Sequence, residues 1–512
     1  MSPSRAEPFQ VHGVFWRADG AAHADASAPP QEARPTMGLE EGLRFFAAPH
    51  DPLRGIDDSN PSHGTLRFEP SQTFRIELLD ASERVFNNDA GNFVVHGLDG
   101  AGNALTLLDC FAGIGPLGPQ PGPSPTMIVG HLLVHGEHVV AADELHFSRA
   151  RLSLAGLRDF LLTPMPDAEG ETHDVADLSQ PTAKLNATPS GARLTFTATA
   201  RSRNEHFIRA TETIAWIEIE LDEPLSYPRW MREWVLPMID LIEFATREPS
   251  RLEQFDALLP EENEVPEFIA KGAPAGAPSE RAVSFVEPRT PLRLDDPRHS
   301  YERMLLSAGA LAGRLEGFLE KWLEFHRRMG DVGPLLFSTL TSRMYVNQQL
   351  VVLGSVAEAY HRATVSPPLS ADLHTGLVDR MLDALDDDEQ RSVYRAALTH
   401  ANGQTQDQRI RALVERAGQV LPPLAVKAGR LSNRFVATRN HYVHLPVDGR
   451  DVLRGGDLVE AIELLVLVLH INLLLDGGLT PTHAAALVER SYGRQRLWHD
   501  LVRRGTAWPK RR

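Results

Sequence analysis

Along the first 221 residues, apolar and polar positions alternate in short segments separated by Gly, Pro and Asn. The segments are Phe9–Trp16, Gly64–Glu69, Phe74–Leu78, Asn92–His96, Ala104–Leu108, Met127–Val134, Arg193–Thr199 and Thr213–Leu221. A two-residue period bounded by turn formers predicts antiparallel strands, so this region reads as a β-rich sandwich or barrel. Two stretches break the pattern as loops, the Ala/Pro-rich Ala21–Pro35 and the Gly/Pro-rich Gly113–Pro125. At Pro228–Ala245 the period changes: Trp230, Trp234, Met238, Leu241 and Ile242 fall at helical spacing and predict one helix closing the β-rich domain. Residues 258–298, which include Gly272–Pro278, have the Pro, Ala and Glu content of a linker, and the main boundary is placed there.

From Tyr301 onward the period stays near 3.6. It predicts helices over Glu302–His326, Leu335–Arg362, Asp379–Leu385, Glu389–His400, Arg409–Leu421, Leu424–His444 and Asp457–Leu475, joined by short polar connections into a bundle. No repeat of solenoid period is visible. The expectation is an α+β multidomain chain, with a β-rich domain over 1–290, an all-α bundle over 300–480 and a basic tail over 481–512.

Length agrees with this division, since 512 residues exceed what one hydrophobic core organises. An apolar fraction of 42% with 23% charged residues fits a globular chain rather than a disordered one. The N-terminal MSPSRAEPFQ lacks a basic-then-apolar leader. Ala461–Leu475, the most apolar run, is short for a bilayer and carries Glu463, His470 and Asn472. One cysteine, Cys110, excludes an intramolecular disulfide and a thiolate zinc cluster. These features together predict a cytosolic protein without a membrane segment. A net charge of −16 argues against a surface coated with nucleic acid. Charge is uneven, however: Asp383–Glu389 is acidic and Arg490–Arg512 basic, so local phosphate binding stays open.

The chemistry concentrates in Arg434–Pro446, where Arg439, Asn440, His441 and His444 crowd into six residues of a helix-compatible run. On a helix Asn440 and His444 share a face, and His441 neighbours His444. Pro446 should end the helix near Leu445, which leaves His444 in the last turn, where the helix dipole favours the imidazolium. A histidine with a near-neutral pKa passes protons in either direction. Lys427, Arg430 and Arg434 project on roughly the side of His441 and form a basic stripe suited to a phosphate backbone. Arg439 and His444 are five residues apart, about 140° around an ideal helix. The spacing recurs at Arg201/His206 and Arg494/His499, so spacing alone singles out nothing. His441-x2-His444 lacks a third ligand at a convincing spacing, and no metal is expected. Glu358 and His361 share a helix face, with an interhelical polar pair as the plainer reading; His470 reads as a satisfied core histidine. Neither a P-loop nor a serine-nucleophile elbow occurs.

The segment ATRNHYVHLP resembles the Arg-x4–6-His motif of the HEPN superfamily, and the Asn directly after the Arg matches that motif's commonest form. Val346–Arg362 resembles the first HEPN helix, which often carries a polar residue facing the site, here Glu358. GVFW and GTLRF in the β-rich region resemble the N-terminal domain of ApeA-type anti-phage proteins. The resemblance covers most of the chain and is specific at Arg439, Asn440 and His444.

It implies a metal-independent endoribonuclease without a cofactor. One histidine would act as general base or acid, Arg439 would stabilise charge on the phosphoryl oxygens, and Asn440 would orient the histidine or the phosphate. Cleavage by the 2′-hydroxyl would leave 2′,3′-cyclic phosphate and 5′-hydroxyl ends. His441, Arg434, Arg430, Lys427 and Glu358 would contact the substrate, an RNA such as tRNA. The resemblance further implies a homodimer through the HEPN domain, and an abortive-infection toxin released when the N-terminal domain senses a phage-derived trigger. The alternative is a non-catalytic HEPN scaffold, or a nucleotide- or RNA-binding regulatory module.

Overall fold

The computed structural model describes residues 9–18, 62–68, 74–78, 93–113, 126–163, 165, 182–205, 208–260, 280–287, 303–341, 344–365, 369–398, 402–426, 428–444, 452–493 and 498. Several expectations fall outside these residues: the Ala21–Pro35 loop, most of the Gly113–Pro125 loop, the Gly272–Pro278 stretch, Lys427, Pro446, the Arg494/His499 pair, His206 and the end of the basic tail. The chain forms two compact units. The first comprises Met1–Ala155, Lys184–Val235 and Arg251–Arg293; the second comprises Gly156–Ala183, Leu236–Ser250 and Leu294–Arg512.

The first unit is antiparallel β. Its strands are β1 (Phe9–Ala18), β2 (Ser62–Phe68), β3 (Phe74–Leu78), β4 (Phe93–Asp99), β5 (Ala104–Gly113) and β6 (Thr126–Gly130), then β7 (Leu132–His135), β8 (His146–Leu154), β9 (Thr182–Ala187), β10 (Arg193–Glu205), β11 (Ile208–Ser226), β12 (Leu252–Pro260) and β13 (Glu280–Val286). Pairing runs β4-β1-β2-β3-β6-β5, and β5 pairs back onto β4, so these six strands close a barrel. Strand β5 also pairs with β7 and carries the sheet on through β13-β12-β8-β11-β10-β9. Alternation puts one face inside: Phe15, Leu66, Phe68, Phe74, Ile76, Leu78, Val95, Leu107 and Ile128 form the barrel core. Gly97 lets Phe15 enter, because a methyl placed on it would lie 2.5 Å from the Phe15 ring. Burial pushes the Cys110 thiol up, away from the reactive thiolate.

Two expectations are corrected here. Leu258–Pro260 and Glu280–Val286, read as linker, pair with each other as parts of β12 and β13. Flanking Pro and Ala masked the short apolar runs that a sheet centre can bury. The predicted closing helix is also divided. A helical turn at Tyr227–Trp230 packs in the first unit, where the Trp230 indole donates to Phe147 O at 2.9 Å. A π-turn at Met231–Val235 follows, and Leu236–Thr246 belongs to the second unit. Periodicity reports an apolar helix face but not which core that face meets.

His96 and His138 lie against each other in the first unit, with ring centroids 4.7 Å apart and planes tilted by 38°. Burial lowers the pKa of both, that of His138 to about 4, with the neighbouring His96 adding to the shift. At this pair the unfolded chain therefore binds more protons than the fold from about pH 6.5 down to about pH 4, and its contribution to stability falls as pH drops through that window. His138→Gln should reduce the difference in urea unfolding between pH 7.5 and 5.0 by about 2 kcal/mol. An unchanged slope in the variant would remove this pair as its source.

The second unit is helical: α1 (Leu157–Leu162), α2 (Leu236–Thr246), α3 (Leu315–Met329), α4 (Val332–Thr341), α5 (Val346–Thr364), α6 (Ala371–Leu382), α7 (Asp388–Leu398), α8 (Gln406–Ala417), α9 (Ala428–His444), α10 (Gly456–Asp476) and α11 (Pro481–Tyr492). The pattern over Leu335–Arg362 proves to be two helices, α4 and α5. Residues 481–492, assigned above to the basic tail, form α11 and bury His483, Leu487, Val488 and Tyr492.

Trp322 sits among Phe244, Phe318, Phe325 and Phe337, and its indole donates to Pro237 O at 2.8 Å. Helix α10, with 21 residues, is long and apolar enough to cross a membrane, which the shorter Ala461–Leu475 run did not suggest. In the fold 72% of its apolar window is buried, and it runs through the core. His470 is a core histidine bonded to the Tyr492 hydroxyl at 2.7 Å. Polar ties fix α10 to the helices around the candidate site. Tyr360 of α5 donates to Asp476, Arg416 of α8 donates to Asp476 at 2.5 Å, and Asn472 donates to Leu413 O at 3.0 Å.

Candidate active site on helix α9

Helix α9 buries Ala428, Leu431, Ser432, Phe435 and Thr438 and turns the rest of its circumference outward. Thr438 fixes the position of its last turns. The hydroxyl donates to Arg434 O at 2.7 Å and accepts from the Leu453 amide at 2.9 Å, which pins the chain returning to α10.

Arg439 is half-buried and packs beside α5 at Gly354. A methyl on Gly354 would lie 3.2 Å from the Phe435 ring, 3.4 Å from Arg439 Cγ and 3.6 Å from Gln406 Nε2. The missing side chain leaves room for the Phe435 ring, and the arginine stem lies in ordinary contact alongside. Its guanidinium donates from Nη1 to Asn440 Oδ1 at 3.2 Å, while the screened Nε has no partner among the described residues. His441 is half-buried, with Nδ1 likewise unpartnered among the described residues, and its ring meets Tyr442 edge-on at 5.5 Å. His444 is exposed at the helix end and makes no hydrogen bond or ion pair among the described residues.

Arg430, Arg434, His441 and His444 fall within about 80° of the helix circumference and form one stripe. Arg430 is exposed and Arg434 half-buried. The structure thus joins Arg439 to Asn440 and aligns both histidines with the arginine stripe. It does not bond Arg439 to His444 within one chain; they diverge by the about 140° that their spacing sets.

Glu358 stands in an ion-pair network on α5. Its Oε1 accepts from Arg362 at 2.5 Å and from Arg409 at 3.3 Å, so its charge is already answered. Arg409 is only 8% exposed, and its Nε donates to Gln404 O at 2.8 Å. Burial, and then the nearby Arg362, lower its pKa, a direction that Glu358 opposes. His361 is buried, and burial followed by the nearby Arg409 lowers its pKa. Among the described residues no group of three or more His, Cys, Asp or Glu is arranged to hold a metal ion.

Sequence reasoning missed Gly354, Gln406, Arg409 and Thr438. Thr405-x2-Gln408 was the signal for the α8 start that places Gln406: both capping-box bonds form, with the Thr405 amide donating to Gln408 Oε1 at 2.8 Å.

Two family models match the chain. ApeA N-terminal domain 1 matches residues 53–322, and Apea-like HEPN matches residues 353–482. Comparison with curated proteins and with solved structures gives no match. The first model spans more than half of the chain, and the second contains α5 from residue 353 onward and α8, α9 and α10 entire, with Gly354 and the Arg439–His444 stretch. The chain therefore belongs to the ApeA family of HEPN defence proteins.

Proposed function

We propose that this chain is a metal-independent endoribonuclease that cuts RNA as an abortive-infection toxin, with Arg439, Asn440 and His444 as its working groups. The observation that carries the reading is the end of α9. There an arginine held by Asn440 keeps an unpartnered Nε, and an exposed histidine continues the Arg430–Arg434 stripe.

In this mechanism the stripe guides the phosphate backbone. A histidine takes the proton of the ribose 2′-hydroxyl as the 2′-oxygen attacks the adjacent phosphorus. The bond from phosphorus to the 5′-oxygen breaks, and that oxygen leaves protonated by a second acid. The products are a 2′,3′-cyclic phosphate and a 5′-hydroxyl. Arg439 N–H groups bind the phosphoryl oxygens as negative charge builds on them, and Asn440 holds the guanidinium in plane for that contact.

Because His444 and Arg439 diverge around one helix, a second copy of the chain is proposed to face the first, so that His444 of one serves the phosphate at Arg439 of the other. The alternative, a non-catalytic HEPN module, needs these groups buried against partners. An exposed His444 and an unpartnered Arg439 Nε favour the catalytic reading.

Induced expression in a bacterial host tests the toxin directly. Wild type should arrest growth and His444→Ala at matched protein level should not. Arrest that persists in His444→Ala would remove that residue from the site.

A further inference from the structure

A cavity of about 610 Å³ opens between α6, the end of α7 and α8. Its volume suits a small organic ligand, for which about 300–1,000 Å³ is usual. Leu377, Val378, Leu398 and Ala412 supply apolar walls. The loop behind it is fixed, since Asn402 donates to Leu369 O at 2.8 Å and accepts from the Leu369 amide at 3.1 Å.

Polar groups sit at the edge. Gln404 Oε1 and His374 Nε2 are screened from solvent and have no partner among the described residues. A small rotation of each toward a bound ligand would supply the missing hydrogen bond. Gln408 keeps its NH2 group as a donor, because its Oε1 is held by the Thr405 amide. Among the described residues no carboxylate lines the cavity, although the α6–α7 turn carries Asp383, Asp386 and Asp387. The charged group among the described lining residues is Arg411, which reaches the start of α9: a methyl on Gly429 would lie 2.6 Å from its Nη2.

Apolar walls, amide and imidazole edges, and a cation without an acid are what a splayed-out nucleobase and its phosphate require. At the start of α8, Gln404 of the lining lies two residues from Gln406, whose Nε2 shares with Arg439 the space over Gly354, while Gln408 and Ala412 line the cavity from the other side of that helix.

We propose that this cavity seats one nucleobase of single-stranded RNA next to the phosphate at Arg439, and so sets which bond is cut. The inference rests on the ribonuclease reading for that register, while its test does not use cleavage.

The test measures binding of a fluorescein-labelled 12-nucleotide single-stranded RNA to full-length His444→Ala protein, which leaves the RNA intact. Adding Ala412→Phe, which fills the cavity, should weaken binding about tenfold or more, and adding Gln404→Ala should weaken it several-fold. Unfolding midpoints should stay within about 2 °C, and Gln404→Ala, which removes no wall, covers the case in which Ala412→Phe fails to fold. An abasic scan of the RNA should find one position whose loss matches that of Ala412→Phe and is not additive with it.

Unchanged affinity in both variants, or no RNA binding at all, overturns the proposal. Nucleoside monophosphates that compete as tightly as the RNA would retain the nucleobase and overturn the strand as its source. Failure of wild type to cleave RNA would speak against the ribonuclease reading and leave the binding result standing.

Discussion

His444→Ala is expected to lower the rate of RNA cleavage by about 10²–10⁴-fold, the usual contribution of a positioned general acid or base. Stability should be unaffected, because His444 is exposed and bonds to nothing among the described residues. That combination separates a chemical role from a structural one. Its place in the last turn of α9 leaves the imidazole exposed at the end of the helix, where it can reach a substrate. His441→Ala should cost much less, since His441 lies half-buried beside Tyr442. Single-turnover cleavage with saturating enzyme reads the chemical step for both variants. A larger loss in His441→Ala than in His444→Ala would exchange their roles.

Arg439→Ala should cost about 10²–10³-fold in the same assay, the range for removing a group that meets charge developing in the transition state. Arg439→Lys should recover little of it. Lysine keeps the charge but loses the planar fork that bonds Asn440 with one nitrogen and leaves others for phosphate oxygens. Because the effect belongs to the transition state, kcat should fall more than KM rises. A rise in KM alone would make Arg439 a binding group of the same kind as Arg430. Arg430→Ala should raise KM and reduce the salt dependence of binding, since an exposed arginine on the stripe acts through the backbone charge.

The sequence exposed these residues because a chemical motif is local. Arg439, Asn440 and His444 lie within one and a half turns, and Phe435 and Thr438 set which side of those turns is buried. The strands were legible for the same reason: β3 alternates residue by residue between the barrel interior and the outside, and β2 does so except at Thr65, which is buried as well. What stayed hidden depends on contacts far apart in sequence. No local pattern says that β4 pairs with both β1 and β5 and so closes the barrel. Leu236–Thr246 has an unmistakable helical period, yet its partners in the second unit come from segments such as Trp322, 85 residues on. Glu358 is visible on α5 as a polar candidate, whereas its bond to Arg409 of α8, 51 residues away, is not. Gly354 carries no side chain to notice, and its role appears only when Phe435 and Arg439 are packed over it.

The most direct test is cleavage of total cellular RNA by the purified full-length protein in EDTA, comparing wild type with Arg439→Ala and His444→Ala and reading the chemistry of the new ends. The account predicts EDTA-resistant cutting by wild type that leaves 2′,3′-cyclic phosphate and 5′-hydroxyl ends and is lost in both variants. Cutting that both variants retain, or that EDTA abolishes, would contradict it.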